Sequence, residues 1–270
     1  MTTFFRNFKT IVIQGSPAYE KGVLEQLNKL WDTRTGWAVL RGIIDTTKIV
    51  TIVPYSAADR KEMGSENAYA RAKDSWAASP LPGFGPKGSD SEVHFSPEEF
   101  QASRPPVCYY RKTPAGPCLA GTSYAQNVGP DDLLVHELVH SLREMRGQFN
   151  CVPTRTTGYE NQEEYFAILL QNIYASEKGL TILRRDHYGN GPLPKSLSTS
   201  ETFLGKGQRP PSTEQLENRQ LVTRLTNECL TLCGKILSHV HAAFNPIREY
   251  LLHTSEYPYD PRLLFPPIGG

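Results

Sequence analysis

The sequence predicts an α+β fold: a small N-terminal sheet packed on a helix that carries a His-Glu-Leu-Val-His run, followed by a helical C-terminal part. Three observations lead there. Short β-branched runs occupy the front half, helical spacing of apolar residues dominates beyond residue 130, and Gly/Pro-rich stretches separate the two. A chain of 270 residues is long enough for one core of ordinary size, so the expectation is a single domain over 1–270.

Residues 10–13 read as a short strand, and Pro17 opens a helix with Val23, Leu27, Leu30 and Trp31 on one side. Thr35 and Gly36 are expected to close it. Residues 48–55 alternate and are rich in β-branched side chains, a second strand. Residues 79–91 are crowded with Gly, Pro and Ser and read as a loop, and 92–96 as a brief extended segment stopped by Pro97. The Pro- and Gly-rich stretch 104–130 reads as a covering loop. Asp131 or Asp132 is expected to cap a helix over 133–146, with Gly147 as its left-handed stop. Another helix starts after Asn161 and runs to Lys178, stopped by Gly179. Leu216, Leu221, Leu225, Leu230, Ile236 and Val240 then predict one long helix over 214–243, ending before Pro246, with an irregular tail from Ser255.

Composition narrows the function classes. A hydrophobic fraction of 39% and a net charge of +1 describe an ordinary globular chain and argue against a nucleic-acid partner, which selects a basic face. No apolar run approaches the roughly 18 residues of a membrane span, and the apolar run at 10–13 is too short for a signal-peptide core. Five cysteines, odd in number and sparse, suit a reducing compartment. Cys229 and Cys233 lie one helical turn apart with His239 and His241 downstream, a spacing that suits a second metal site but better suits a buried helix face.

The chemistry lies at His136, Glu137 and His140. Residues four apart share a helix face, so both imidazoles point at one ion while Glu137 sits about 100° round the axis. Zinc is the expected ion, and the intervening carboxylate then reaches the ion's water as general base. Histidine is scarce, seven in the chain, so composition alone does not account for this spacing. Leu134, Val135, Leu138, Val139 and Leu142 wrap the same helix in apolar side chains and imply burial, where polar groups without partners are costly.

A catalytic zinc of this kind needs a third protein ligand, and the candidates are Glu160, Glu163 and Glu164. Glu164 is preferred, because Tyr165, Phe166 and Ala167 follow it and would bury that helix face against the histidine helix. Glu163 is its main rival. Glu164 also falls at the third position of a capping box begun by Asn161, where a carboxylate has a purely structural use.

These residues carry a family resemblance. The run His-Glu-Leu-Val-His-Ser-Leu-Arg-Glu-Met-Arg-Gly from His136 to Gly147, then Tyr159 to Ala167, Ser176 to Gly179 and Leu183 to His187, resembles the NleD-like effector metalloproteases in order and spacing. Ile11 to Pro17, Gly83 to Gly85 and Val93 to Pro97 are similar to that family too, so the likeness spans about 10–190, leaving a helical extension over about 191–270. The resemblance implies a zincin-like fold and a type III secreted effector, delivered into the host cytosol without a Sec signal. Its implied substrate is a stress-activated MAP kinase, cut within the activation loop. Zincin folds generally run an edge strand beside the histidine helix to bind substrate backbone, and residues 92–96 are the candidate. The resemblance also points to Asp186, His187 and Tyr188, where His187 or Tyr188 would donate to the oxyanion.

Two other readings share parts of this pattern. A zinc hydrolase or toxin module acting on bacterial peptides has the same site and a different route. A non-enzymatic interaction protein would close a structural zinc with a fourth protein ligand, for which Cys151 is the nearest cysteine to the motif.

Overall fold

The structure is a computed structural model that describes residues 2–63, 68–80, 86–100, 129–185, 192–238 and 241–257. It is α+β, as the sequence predicts. Five strands, β1 (Thr2–Phe4), β2 (Ile11–Gln14), β3 (Val50–Val53), β4 (Ala68–Ala72) and β5 (Ser91–Phe95), form one sheet in the order β1-β2-β3-β5-β4. The three central strands are parallel, while β1 and β4 run antiparallel on the two edges. Register aligns Ile13, Ile52, Val93 and Ala70 across one face, and the first three are fully buried there. Residues of the other parity, Glu92 and His94 among them, point to the opposite face.

Residues 92–96 are therefore not an edge strand. That stretch falls within or just beyond β5, which is paired on both sides, and the edge belongs to β4. Ala and Arg dominate Ala68–Ala72, so its own sequence gives little strand signal. Pairing with β5 makes it a strand.

Helix α1 (Pro17–Trp31) starts where expected, with the Ser16 hydroxyl accepting from Tyr19 N and Pro17 in the first turn. It ends at Asp32, and Thr35 and Gly36 do not close it. They lie inside α2 (Arg34–Ile44), which Thr33 caps by accepting from Gly36 N. Ala38, Val39, Leu40 and Ile43 bury the inner face of α2, and that burial outweighs the poor helix propensity of Gly36. Two short helices, α3 (Ala57–Met63) and α4 (Ser75–Ala78), flank β4.

Helix α5 (Pro130–Met145) is the centre of the molecule, with every residue from Asp131 to Met145 buried. Its N-cap is Gly129 and not either aspartate, because Asp132 reaches back to accept from Gly129 N at 2.8 Å. Lys178 pairs with both Asp131 and Asp132, at 2.6 and 2.9 Å. Gly147 stops the helix at φ 66°, as expected. Helix α6 (Gln162–Glu177) packs along α5, capped by Asn161 and stopped by Gly179 at φ 81°.

Beyond α7 (Ser200–Phe203), the predicted long helix is two: α8 (Thr213–Glu228) and α9 (Leu230–Leu237). Cys229, at φ −125° and ψ 44°, breaks them apart, and this turn lets Leu225, Cys229 and Cys233 all stay buried as the chain bends. Helix α10 (Pro246–Leu252) follows. One apolar cluster runs through these elements from Phe5 to Tyr257, so the C-terminal helices share the core of the sheet and α5. No helix of the described residues is long and apolar enough to cross a membrane.

Candidate metal centre

His136 and His140 project from one face of α5, with His136 Nε2 and His140 Nε2 3.1 Å apart. Glu164 comes from the first turn of α6, with Oε2 3.3 Å from His136 Nε2 and Oε1 3.6 Å from His140 Nε2. Asn161 Oδ1 accepts from Glu164 N at 2.9 Å and so sets the start of α6, while the Glu164 carboxylate is turned towards the histidines. These three residues form a group whose donor atoms lie within 4.8 Å of one another.

The donor set fits a divalent ion. Two ligands at about 2.0–2.1 Å from zinc at a tetrahedral angle lie about 3.3 Å apart, and the 3.1 Å between the histidines and the 3.3 and 3.6 Å from them to the two different Glu164 oxygens bracket that value. The electrostatics agree. Burial pushes His136 down to about 3, whereas His140, for which burial also works against charge, is held well above the ordinary imidazole value by Glu164 and Glu163. The carboxylates of Glu164 and Glu163 beside the two rings thus favour positive charge at this point.

Glu163 and Glu160 do not join the group among the described residues. Glu163 lies behind His140, with Oε1 3.5 Å from His140 Nδ1, and Arg143 Nε donates to its two oxygens at 2.9 and 2.8 Å. Glu137, buried on α5 beside the histidines, contributes its charge to the environment of His140. Cys151 is exposed and outside the group, so no fourth protein donor closes it among the described residues. Cys229 and Cys233 are buried, with burial pushing both thiols up, and form no metal group with the described residues. Asp186, His187 and Tyr188 lie outside the described residues, as does most of 104–130.

Sequence reasoning missed two contributors near the centre. Glu144, one turn beyond His140, is buried and accepts from Ser91 Oγ at 2.6 Å and from the Ala72 backbone, tying α5 to β5 and to the edge strand. Arg143 is 1% exposed and ties α5 to α6 and α8. An arginine and a glutamate inside a helix wrapped in leucine and valine were the available signal, since such a helix leaves a charge little room at the surface.

Fold and site together define an α+β protein with two histidines on one helix and a carboxylate on the next, grouped closely enough to hold a metal ion. A sequence model of the M91 peptidase family, described as effector protein, matches residues 7–202, and the chain belongs to that family. This is the NleD-like family that the motifs resemble. No curated protein matches the chain.

Proposed function

We propose that this chain is a zinc-dependent endopeptidase that acts as an effector on a protein inside a host cell. The observation that supports this most is the triangle of donor atoms from His136, His140 and Glu164, with Glu137 next to it on the same helix. Zinc held there supplies a Lewis acid that polarises the scissile carbonyl and lowers the pKa of water towards neutrality. His136, His140 and Glu164 hold the ion. Glu137 is the general base: it takes a proton from the attacking water and returns it to the departing amine nitrogen. Burial of α5 keeps these groups in place and excludes competing solvent.

An extended peptide adds to β4, the outermost strand next to α5, through backbone hydrogen bonds. Family likeness supports a stress-activated MAP kinase as substrate, cut in its activation loop, and delivery by a type III route. His187 and Tyr188 are the proposed oxyanion donors, and an unchanged kcat in His187→Ala would remove His187 from that role.

The test pairs metal analysis with detection of new protein termini in host-cell lysate, comparing the wild-type chain with Glu137→Ala. One equivalent of zinc in both proteins, with new termini from the wild type alone, is the expected result. Identical termini in both samples reject the protease reading.

A further inference from the structure

We infer that Glu163, clamped by Arg143 and through it by Glu228 of the C-terminal helices, is the positioning residue that orients His140 towards the metal. This inference rests on the metal reading above and adds a part of the molecule that the family match, ending at residue 202, does not reach.

His140 presents Nε2 to the centre, so its Nδ1 must carry the proton when the ring binds a cation. Glu163 Oε1 faces that buried Nδ1 at 3.5 Å, an ion-pair separation longer than a formed hydrogen bond, and Nδ1 has no hydrogen-bond partner among the described residues. A carboxylate acceptor there selects the Nδ1–H tautomer and makes the other nitrogen a better ligand. Glu163 is 1% exposed, and its oxygens accept from Arg143 Nε at 2.9 and 2.8 Å and from Asn150 N at 3.2 Å.

Arg143 is itself 1% exposed and stacks over Phe166 with 4.5 Å from guanidinium carbon to ring centre. Its Nη2 donates to Glu228 Oε2 at 3.0 Å and to Gln148 O at 2.7 Å. Gln148 in turn donates to Glu228 O at 2.6 Å, and Arg224 holds the other Glu228 oxygen at 2.6 Å. A second carboxylate of α8, Glu217, accepts from the backbone of Arg155, Thr156 and Thr157 at 2.7, 2.6 and 3.0 Å. It thereby braces the connection that leads to Glu164. The C-terminal helices thus hold both helices that carry the centre.

The experiment measures zinc affinity of the full-length chain by competition with a chromophoric chelator, together with the His140 Nδ1–H proton resonance of the zinc-loaded protein. Removing Glu163 alone leaves the buried Arg143 Nε without its acceptor, so the main variant is the double substitution Arg143→Met with Glu163→Gln, which removes the pair together. Its zinc affinity is expected to fall by about 10–100-fold, with the Nδ1–H resonance shifted upfield and exchanging with solvent. Glu228→Gln is the second variant, at a partly exposed link that leaves Glu163 in place, and a fall of about threefold or more is expected. A merely structural pair would lower the melting temperature and move neither readout. Wild-type affinity and an unmoved resonance in the double variant overturn the inference, and wild-type affinity in Glu228→Gln overturns its extension to the C-terminal helices. A wild-type chain that takes up no zinc removes the metal reading itself, and this inference with it.

Discussion

Glu164 Oε2 stands 3.3 Å from His136 Nε2, although the two residues come from different helices. Its neighbour Glu163 accepts from Arg143 and lies behind His140, 3.5 Å from Nδ1, and consecutive helix positions, about 100° apart, explain the division. One carboxylate completes the donor triangle, and the other supports a histidine from behind.

Glu164→Ala is expected to release stoichiometric zinc while the far-UV circular dichroism stays close to wild type. The side chain is not part of the apolar core, and Asn161 still caps α6 through the backbone of residue 164. Metal analysis after dialysis decides the matter, and zinc retained at one equivalent would assign the third ligand elsewhere.

Glu137→Gln is expected to keep its zinc and lose at least about 100-fold in kcat, since general-base catalysis is typically worth 10²–10⁴. The amide has nearly the same shape but cannot take the proton. Turnover of a cleavable peptide by the zinc-loaded variant at close to the wild-type rate would remove Glu137 from that role.

Glu144 makes stability depend on pH. Burial raises its carboxyl from the ordinary 4.5 to about 7, so between those values the folded chain binds the proton more tightly than the unfolded one. Stability from this group is therefore greatest below about pH 4.5, declines as pH rises through the window, and above about pH 7 is lower by about 3 kcal/mol. Urea unfolding of wild type and Glu144→Gln, both with chelator, isolates the effect. Subtracting the variant's stability from that of the wild type should give a difference that falls across the window, and a flat difference would contradict the assignment.

Gly88→Ala is expected to cost more than about 2 kcal/mol, read by denaturant unfolding. Gly88 sits at φ 68°, and a Cβ there would meet the Met145 carbonyl oxygen at 1.9 Å. Backbone, not a movable side chain, occupies the space. A variant within about 0.5 kcal/mol of wild type would show that the junction between the end of α5 and the start of β5 yields more easily than its geometry implies.

Much of the fold was legible where the deciding forces are local. Ser16 before Pro17, Asn161 before α6, and Gly147 and Gly179 after their helices all mark boundaries that the structure keeps, because caps and positive φ act over one turn. Gly36 was misleading: propensity marks it as a stop, but tertiary burial of α2 carries the helix past it. The break at Cys229 was hidden because apolar spacing continues on both sides of the bend.

The sequence by itself determined the chemistry of α5, since two histidines four residues apart share a helix face in any surroundings, and the apolar wrapping already demanded burial. It could not say which of Glu163 and Glu164 lies beside the Nε2 atoms of the two histidines, nor place the sheet edge. Those depend on which face α6 turns to α5 and on the pairing of β4 with β5, contacts between segments distant in sequence. Tertiary packing alone decided them, because a side chain's partner across two helices is fixed by how the helices rotate and pack together.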